Sequence, residues 1–157
     1  QRGCDLPRAR ATDAPVPWDR QGDADARATR EEGSPLILVD SSGWIEYLAD
    51  RPRAARFARY LEGREPLLVS AIEVYEVYKV VRRDLSEERA VEAVAALHRA
   101  QIVAVDETLA LEAADISLRL GLAMADSLVY ATAQRHGATL VTGDADFDGL
   151  PGAIVVR

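Results

Sequence analysis

The chain has 157 residues, 48% of them apolar, which suits one globular domain with a sizeable core and argues against disorder throughout. Its formal charge of -7 argues against a broad, non-specific nucleic-acid coat, which would be basic, yet leaves room for a nuclease whose acids ligate metal. A single cysteine, Cys4, rules out an intramolecular disulfide; with His98 and His136 it makes no zinc site of usual spacing, and no apolar run approaches the roughly 20 residues of a membrane helix.

Residues 1–35 hold Arg, Asp, Ala, Gly and Pro with almost no aliphatic side chains, too little apolar surface to offset ordering. They are expected to form a disordered or extended N-terminal tail, followed by one folded domain over 36–157. The N-terminus lacks the basic and apolar regions of a secretion signal, and a cytoplasmic location is expected.

The run 36–40 is short and continuously apolar before Asp40, as in a buried parallel strand. Ser42 can cap a helix that runs to Tyr47 and Leu48, and Pro52 suits the first turn of a second helix ending near Gly63. A second strand is expected over 67–70, a helix over 71–82 and another from Ser86 to about His98. The third strand covers 102–105. A helix over 107–120 ends at Gly121, and Asp126 caps the next, which stops at Gly137. Strands four and five cover 139–142 and 154–156. Short apolar strands alternating with helices predict an α/β fold with a parallel sheet and helices on both faces.

Four acids stand where apolar segments end or turn: Asp40, Glu76, Asp126 and Asp144. Each has an ordinary explanation, as a cap, an Asx-turn or a solvated helix position. Together they are less ordinary, because ligands in open parallel sheets collect outside the carboxyl ends of the strands. Carboxylates brought together there repel one another, and a hard divalent cation such as Mg²⁺ removes that repulsion. Asp146 is a further candidate beside Asp144. Glu73 shares the helix face of Glu76 and reads as a surface position. Asp148, also near Asp144, reads as a residue of the loop before Gly149, Asp115 as solvated, and His136 as favourably placed at a helix C-terminus. Ser41, Ser127 and Thr142 are candidates to hydrogen-bond the carboxylates.

The segments 36–48 (LILVDSSGWIEYL), 69–77 (VSAIEVYEV), 122–133 (LAMADSLVYATA) and 137–147 (GATLVTGDADF) together resemble the four acidic motifs of PIN domains, in order and spacing. The resemblance covers 36–157 and is nearest to VapC-type toxins. It implies a three-layer α/β/α sandwich around a parallel sheet of four or five strands. It also implies an endoribonuclease dependent on Mg²⁺ or Mn²⁺, with Asp40, Glu76, Asp126 and Asp144 as catalytic and metal-binding residues. The implied partners are an RNA substrate, a VapB-like antitoxin and a second copy in a homodimer, with no membrane. Two features depart from the family pattern: the long polar tail, and Gly143 where a larger, often basic, residue is common.

Other readings keep part of this pattern. A catalytically inactive PIN-like binding module would share the fold. A receiver-type domain accepting a phosphoryl group would need paired acids after its first strand and a late lysine, whereas the one lysine here is Lys79. A haloacid-dehalogenase-type phosphatase would need an Asp where Ser42 stands. Trp44, Tyr47, Phe57 and Tyr60 either line a groove for an antitoxin helix or join the core. Arg51, Arg53, Arg56, Arg59, Lys79, Arg82 and Arg83 either meet RNA phosphates or form a solvated face.

Overall fold

A computed structural model describes residues 35–157; the expected tail therefore lies, but for its last residue, outside the described residues. The strands are β1 (Ile37–Val39), β2 (Leu67–Ser70), β3 (Gln101–Val103), β4 (Thr139–Thr142) and β5 (Ala153–Val155). They form one five-stranded sheet in the order β3-β2-β1-β4-β5, with every neighbouring pair parallel. The helices are α1 (Ser41–Leu48), α2 (Ala54–Leu61), α3 (Ala71–Asp84), α4 (Glu87–Leu97), α5 (Glu107–Leu120) and α6 (Met124–His136), and a short 3-10 turn covers Ala145–Phe147.

Side chains alternate across a strand, so each central strand feeds both faces of the sheet. Ile37, Val39, Val69 and Val141 pack with Trp44, Phe57, Val77, Val81 and Leu97 on the side of α1 to α4. Leu38, Leu68 and Leu140 pack with Leu109, Ile116, Val129, Tyr130 and Phe147 on the side of α5 and α6. Two apolar layers around a doubly covered sheet make the three-layer α/β/α sandwich that the motifs imply. They also explain why the strands read as unbroken apolar runs.

The strand order sets the position of the site. From β1 the chain steps outward through β2 and β3, then returns to place β4 on the other side of β1. The order in which strands are added thus switches sides between β1 and β4, and in such sheets a crevice opens there beyond the carboxyl ends. Asp40 follows β1 directly, and Asp144 stands two residues beyond β4.

Several boundaries differ from expectation. Helix α1 begins at Ser41 with Asp40 in the N-cap position, so Ser42 is inside the first turn and is not the cap. Helix α6 begins at Met124 with Ala123 as N-cap, so Asp126 lies within the first turn and does not cap it. Strand β3 is shifted back to 101–103, because its hydrogen-bonding register follows β2 rather than the apolar run alone. Glycines end α5 and α6 as expected: Gly121 (φ 75°) and Gly137 (φ 61°) are left-handed, a conformation that costs glycine nothing. No helix among the described residues is long and apolar enough to cross a membrane.

Candidate metal centre

Asp40 is 5% exposed although it ends a strand at the rim of the sheet. It occupies the N-cap position of α1, yet its carboxylate makes no capping hydrogen bond. Instead it accepts from Ser42 Oγ at 2.7 Å and from Thr142 Oγ1 at 2.8 Å, with Ser41 Oγ at 3.5 Å. The ordinary explanation for Asp40, a helix cap, therefore does not hold. Hydroxyls from α1 and from the end of β4 aim the carboxylate across the β1–β4 crevice.

The same hydroxyls order the loop that carries Asp144. Gly143 N donates to Ser42 Oγ at 3.1 Å, and Asp144 N donates to Thr142 Oγ1 at 3.0 Å. Asp144 Oδ1 accepts from Asp146 N at 2.9 Å, which is the Asx-turn the sequence suggests. That bond engages Oδ1 and turns the chain so that Asp146 comes back beside Asp144. Arg53 braces the loop from outside, donating Nη1 to Gly143 O at 3.1 Å and to Val156 O at 3.3 Å while its Nη2 pairs with Glu46 at 3.4 Å. A Cβ on Gly143 would stand 2.7 Å from Arg53 Nη1, so the missing side chain is what admits the guanidinium. Arg53 is thereby committed to backbone and Glu46, not to a solvated face. Arg51, Arg82 and Arg83 also form ion pairs, with Asp84, Glu87 and Asp84 respectively.

Helix α6 delivers Asp126. One carboxylate oxygen from each of Asp126, Asp144 and Asp146 lies within 4.8 Å of the other two. Burial pushes the Asp126 carboxyl up to about 6, and the negative charges of Asp40, Asp144, Glu76 and Asp146 push the same way. The close oxygen group thus comprises Asp126, Asp144 and Asp146, while Asp40 and Glu76 lie outside it and act on Asp126 through their charge. Glu76, on α3, is raised above the ordinary range by burial and by Asp40, against the opposing hydrogen bond from Ser41 and the charge of Lys79.

Glu73 corrects the sequence reading. It is fully buried rather than on the surface, and Ser70 N donates to its Oε2 at 2.6 Å across the start of α3. Burial holds its carboxyl well above the usual range, reinforced by the charges of Asp40 and Glu76. Its Oε1 has no protein partner among the described residues. The glutamate at the third position after Ser70 fits the capping-box spacing, a signal that finds its location. Ser127 is a second correction: its hydroxyl donates to the carbonyls of Ala123 and Met124 in its own helix, not to the acids. Ser42, read as a cap, is instead a central link between Asp40 and Gly143. Trp44 and Phe57 are core residues, while Tyr47 and Tyr60 are partly buried against that core. Asp115 is exposed as expected, and Asp148 pairs with Arg157 at the surface.

A cluster of acidic residues in this arrangement can coordinate a divalent metal. Donors are oxygen only, as hard cations require, and the 4.8 Å span of the Asp126, Asp144 and Asp146 oxygens is close to the width of one coordination shell with ligands at roughly 2.0–2.6 Å. The unrelieved repulsion on Asp126 is the second mark of fit, since a cation would reverse its sign.

Comparison with known proteins identifies the fold. The PIN domain family model matches residues 37–153. A solved toxin–antitoxin complex from Klebsiella pneumoniae is 26% identical, with 76% of this chain and 96% of that chain covered and a TM-score of 0.64. FitAcB from Neisseria gonorrhoeae is 25% identical, covering 77% and 96%, with a TM-score of 0.59. VapC20 from Mycobacterium tuberculosis, a sarcin–ricin-loop-cleaving toxin, is 22% identical over 77% and 98%, with a TM-score of 0.67, and at that identity it shows the shared fold alone. No curated protein matches the chain.

Proposed function

The chain belongs to the PIN-domain family, and on that footing we propose that it is a metal-dependent endoribonuclease, the toxin of a type II toxin–antitoxin pair. The observation that carries this reading is the meeting of one carboxylate oxygen from each of Asp126, Asp144 and Asp146 within 4.8 Å, in a neighbourhood where Asp40 and Glu76 also act on Asp126 although both lie far from it in sequence. A fold that holds three carboxylates this close, with two more charges acting on one of them, loses stability unless a cation joins them.

Asp40, Glu76, Asp126 and Asp144 are the proposed ligand set, direct or through water, with Asp146 beside them. Oxygen donors and a need for retained waters favour Mg²⁺ or Mn²⁺. A bound ion would supply an activated water and neutralise charge on the phosphoryl group. The chain's own contribution is placement. Ser42 and Thr142 fix the orientation of Asp40, and Thr142 also anchors the backbone of Asp144. Because one hydroxyl bonds the Asp40 carboxylate and the Asp144 backbone, the two residues are tied together before any ion arrives, which limits the reorganisation that binding requires. Asp126, with its carboxyl near 6, must lose its proton for the full set to act as ligands.

RNA is the proposed substrate, and the likeness to the Klebsiella toxin–antitoxin complex supports a VapB-like antitoxin as partner. A homodimer and a cytoplasmic setting complete the proposal, with 36–157 as the nuclease domain and 1–35 as a tail outside it. The test is cleavage of structured RNA in Mg²⁺ by wild type and by Asp40→Asn with Asp126→Asn. Asparagine keeps the shape and removes charge, so a folded double variant is expected to lose activity by at least about a hundredfold, the scale of a lost electrostatic group. Equal rates for the two proteins would refute the assignment.

A further inference from the structure

Helix α3 contributes Glu76 to the acidic cluster, and a different stripe of the same helix faces solvent. Tyr75, Tyr78, Lys79, Arg82 and Arg83 line an open depression of about 620 Å³. Their spacing of three, four, seven and eight residues puts them along one side of the helix. Tyr75 is 58% exposed, and Lys79 Nζ stands 5.4 Å from its ring centroid. Tyr78 is half-buried; its hydroxyl accepts from Arg82 Nη1 at 2.9 Å, and the Arg82 guanidinium carbon lies 5.8 Å from its ring centroid.

Three cations and two rings, with no acid among the five lining residues, are unexpected on a chain of net charge -7. Arg82 and Arg83 do reach Glu87 and Asp84, but those pairs are solvent-exposed. Such pairs are weak and screened by salt, so a phosphate competes with them. Lys79 stands three residues after Glu76 on the same helix, so the face runs alongside that residue and spans about 12 Å of the helix, at 1.5 Å per residue.

We propose that this face of α3 is a binding track for single-stranded RNA. A base stacks on Tyr75, and phosphates lie against Lys79, Arg82 and Arg83. Stacking on an exposed ring accepts any base, and cations at its edge accept the backbone, the combination that sequence-tolerant single-strand binders use. An acidic peptide would use the cations and leave the ring face unused. The destination of the strand rests on the nuclease reading; binding along α3 does not.

The test uses the full chain with Asp126→Asn, which prevents cleavage, and fluorescent 12-nucleotide oligouridine and oligoadenosine RNAs followed by anisotropy across a salt series. Tyr75→Ala is expected to weaken both about tenfold, and Tyr75→Phe to retain most binding. Lys79→Ala with Arg82→Ala is expected to reduce the salt slope by about 1.4, two phosphates' worth on a single strand. All these side chains are exposed, and an unchanged melting temperature checks that the fold is intact. Affinity unchanged by both Tyr75→Ala and the cation pair overturns the track. So does a polyglutamate peptide that binds as tightly as RNA and ignores Tyr75→Ala, which would mark an acidic-protein surface. Tyrosine-dependent binding with no cleavage by wild type supports the track and sinks only the nuclease reading. Cleavage with an unaltered KM in Tyr75→Ala sinks only the track.

Discussion

Asp40 and Glu73 show how little a residue's identity says about its state. Both stand at the start of a helix after a strand, and both are buried. Asp40 is held by hydroxyls of three side chains, whereas Glu73 has one backbone N–H on Oε2 and nothing from the protein on Oε1. Its raised folded-state value has a definite sign in linkage. An acid whose carboxyl is raised on folding contributes fully below its unfolded value, about 4.3 for Glu, and loses that contribution as pH rises toward the folded value. Glu73→Gln removes the titration and keeps an acceptor for Ser70 N–H. The variant is expected to melt near wild type at pH 4 and progressively above it from pH 5 to pH 8, measured by thermal unfolding in EDTA. A constant difference across that range would contradict the burial of an ionisable Glu73. The burial was not legible because Glu73 is flanked by Ile72 and Val74 on a helix whose inward stripe already has apolar candidates. Its capping-box spacing to Ser70 was the readable clue.

Helices and strands came through the sequence with most of their bounds. Strand β2, strand β4 and helix α5 fall where apolar runs and end signals put them. Helix starts were misplaced at α1 and α6, each time because an acid or serine good at capping was assumed to cap. At both places that side chain is drawn instead into the crevice network, or lies in the first turn facing the other acids. Packing between elements is close at Gly43 of α1, where a Cβ would stand 2.6 Å from both Phe57 Cδ1 and Val39 Cγ1. Gly43 thus sets how closely α1 approaches β1 and α2, and with it the position of Ser41 and Ser42. Gly43→Ala is expected to destabilise by about 1–3 kcal/mol of overpacking, partly offset by up to about 1 kcal/mol of helix propensity. Chemical denaturation checks the stability, and a weaker Mn²⁺ affinity would report the displaced serines. An alanine variant as stable as wild type with unchanged Mn²⁺ affinity would show that α1 has room to spare.

Across the whole molecule, the acidic cluster is expected to make stability depend on cation and pH together. Deprotonation of Asp126 above about 6 adds a charge to a neighbourhood already negative, so the metal-free protein is expected to lose stability from pH 5 to pH 8. A ligand that binds only the native state stabilises by about 2.7 kcal/mol at a hundred times its Kd. Added Mg²⁺ is therefore expected to raise the melting temperature of wild type, and to do so more at pH 8 than at pH 5, since ligands must be deprotonated. Asp126→Asn should melt above wild type in EDTA at pH 8 and gain less from Mg²⁺. A Mg²⁺ shift of equal size in both proteins would mean the ion binds elsewhere.

The order of apolar runs and glycine stops along the chain sufficed for the α/β class and the parallel sheet, and the motifs around four acids for the resemblance to PIN domains. These follow from local periodicity and from signals a few residues long, which survive without knowledge of what packs against what. Only the tertiary structure decided that Glu73 is buried, that Ser42 rather than Ser127 serves the acids, and that Arg53 occupies the space left by Gly143. The first depends on the packing of α3, and the other two on strand order β3-β2-β1-β4-β5, which brings residues about a hundred positions apart into hydrogen-bonding distance. No local pattern encodes that juxtaposition, because burial and partner choice are properties of the packed layers and not of any one segment.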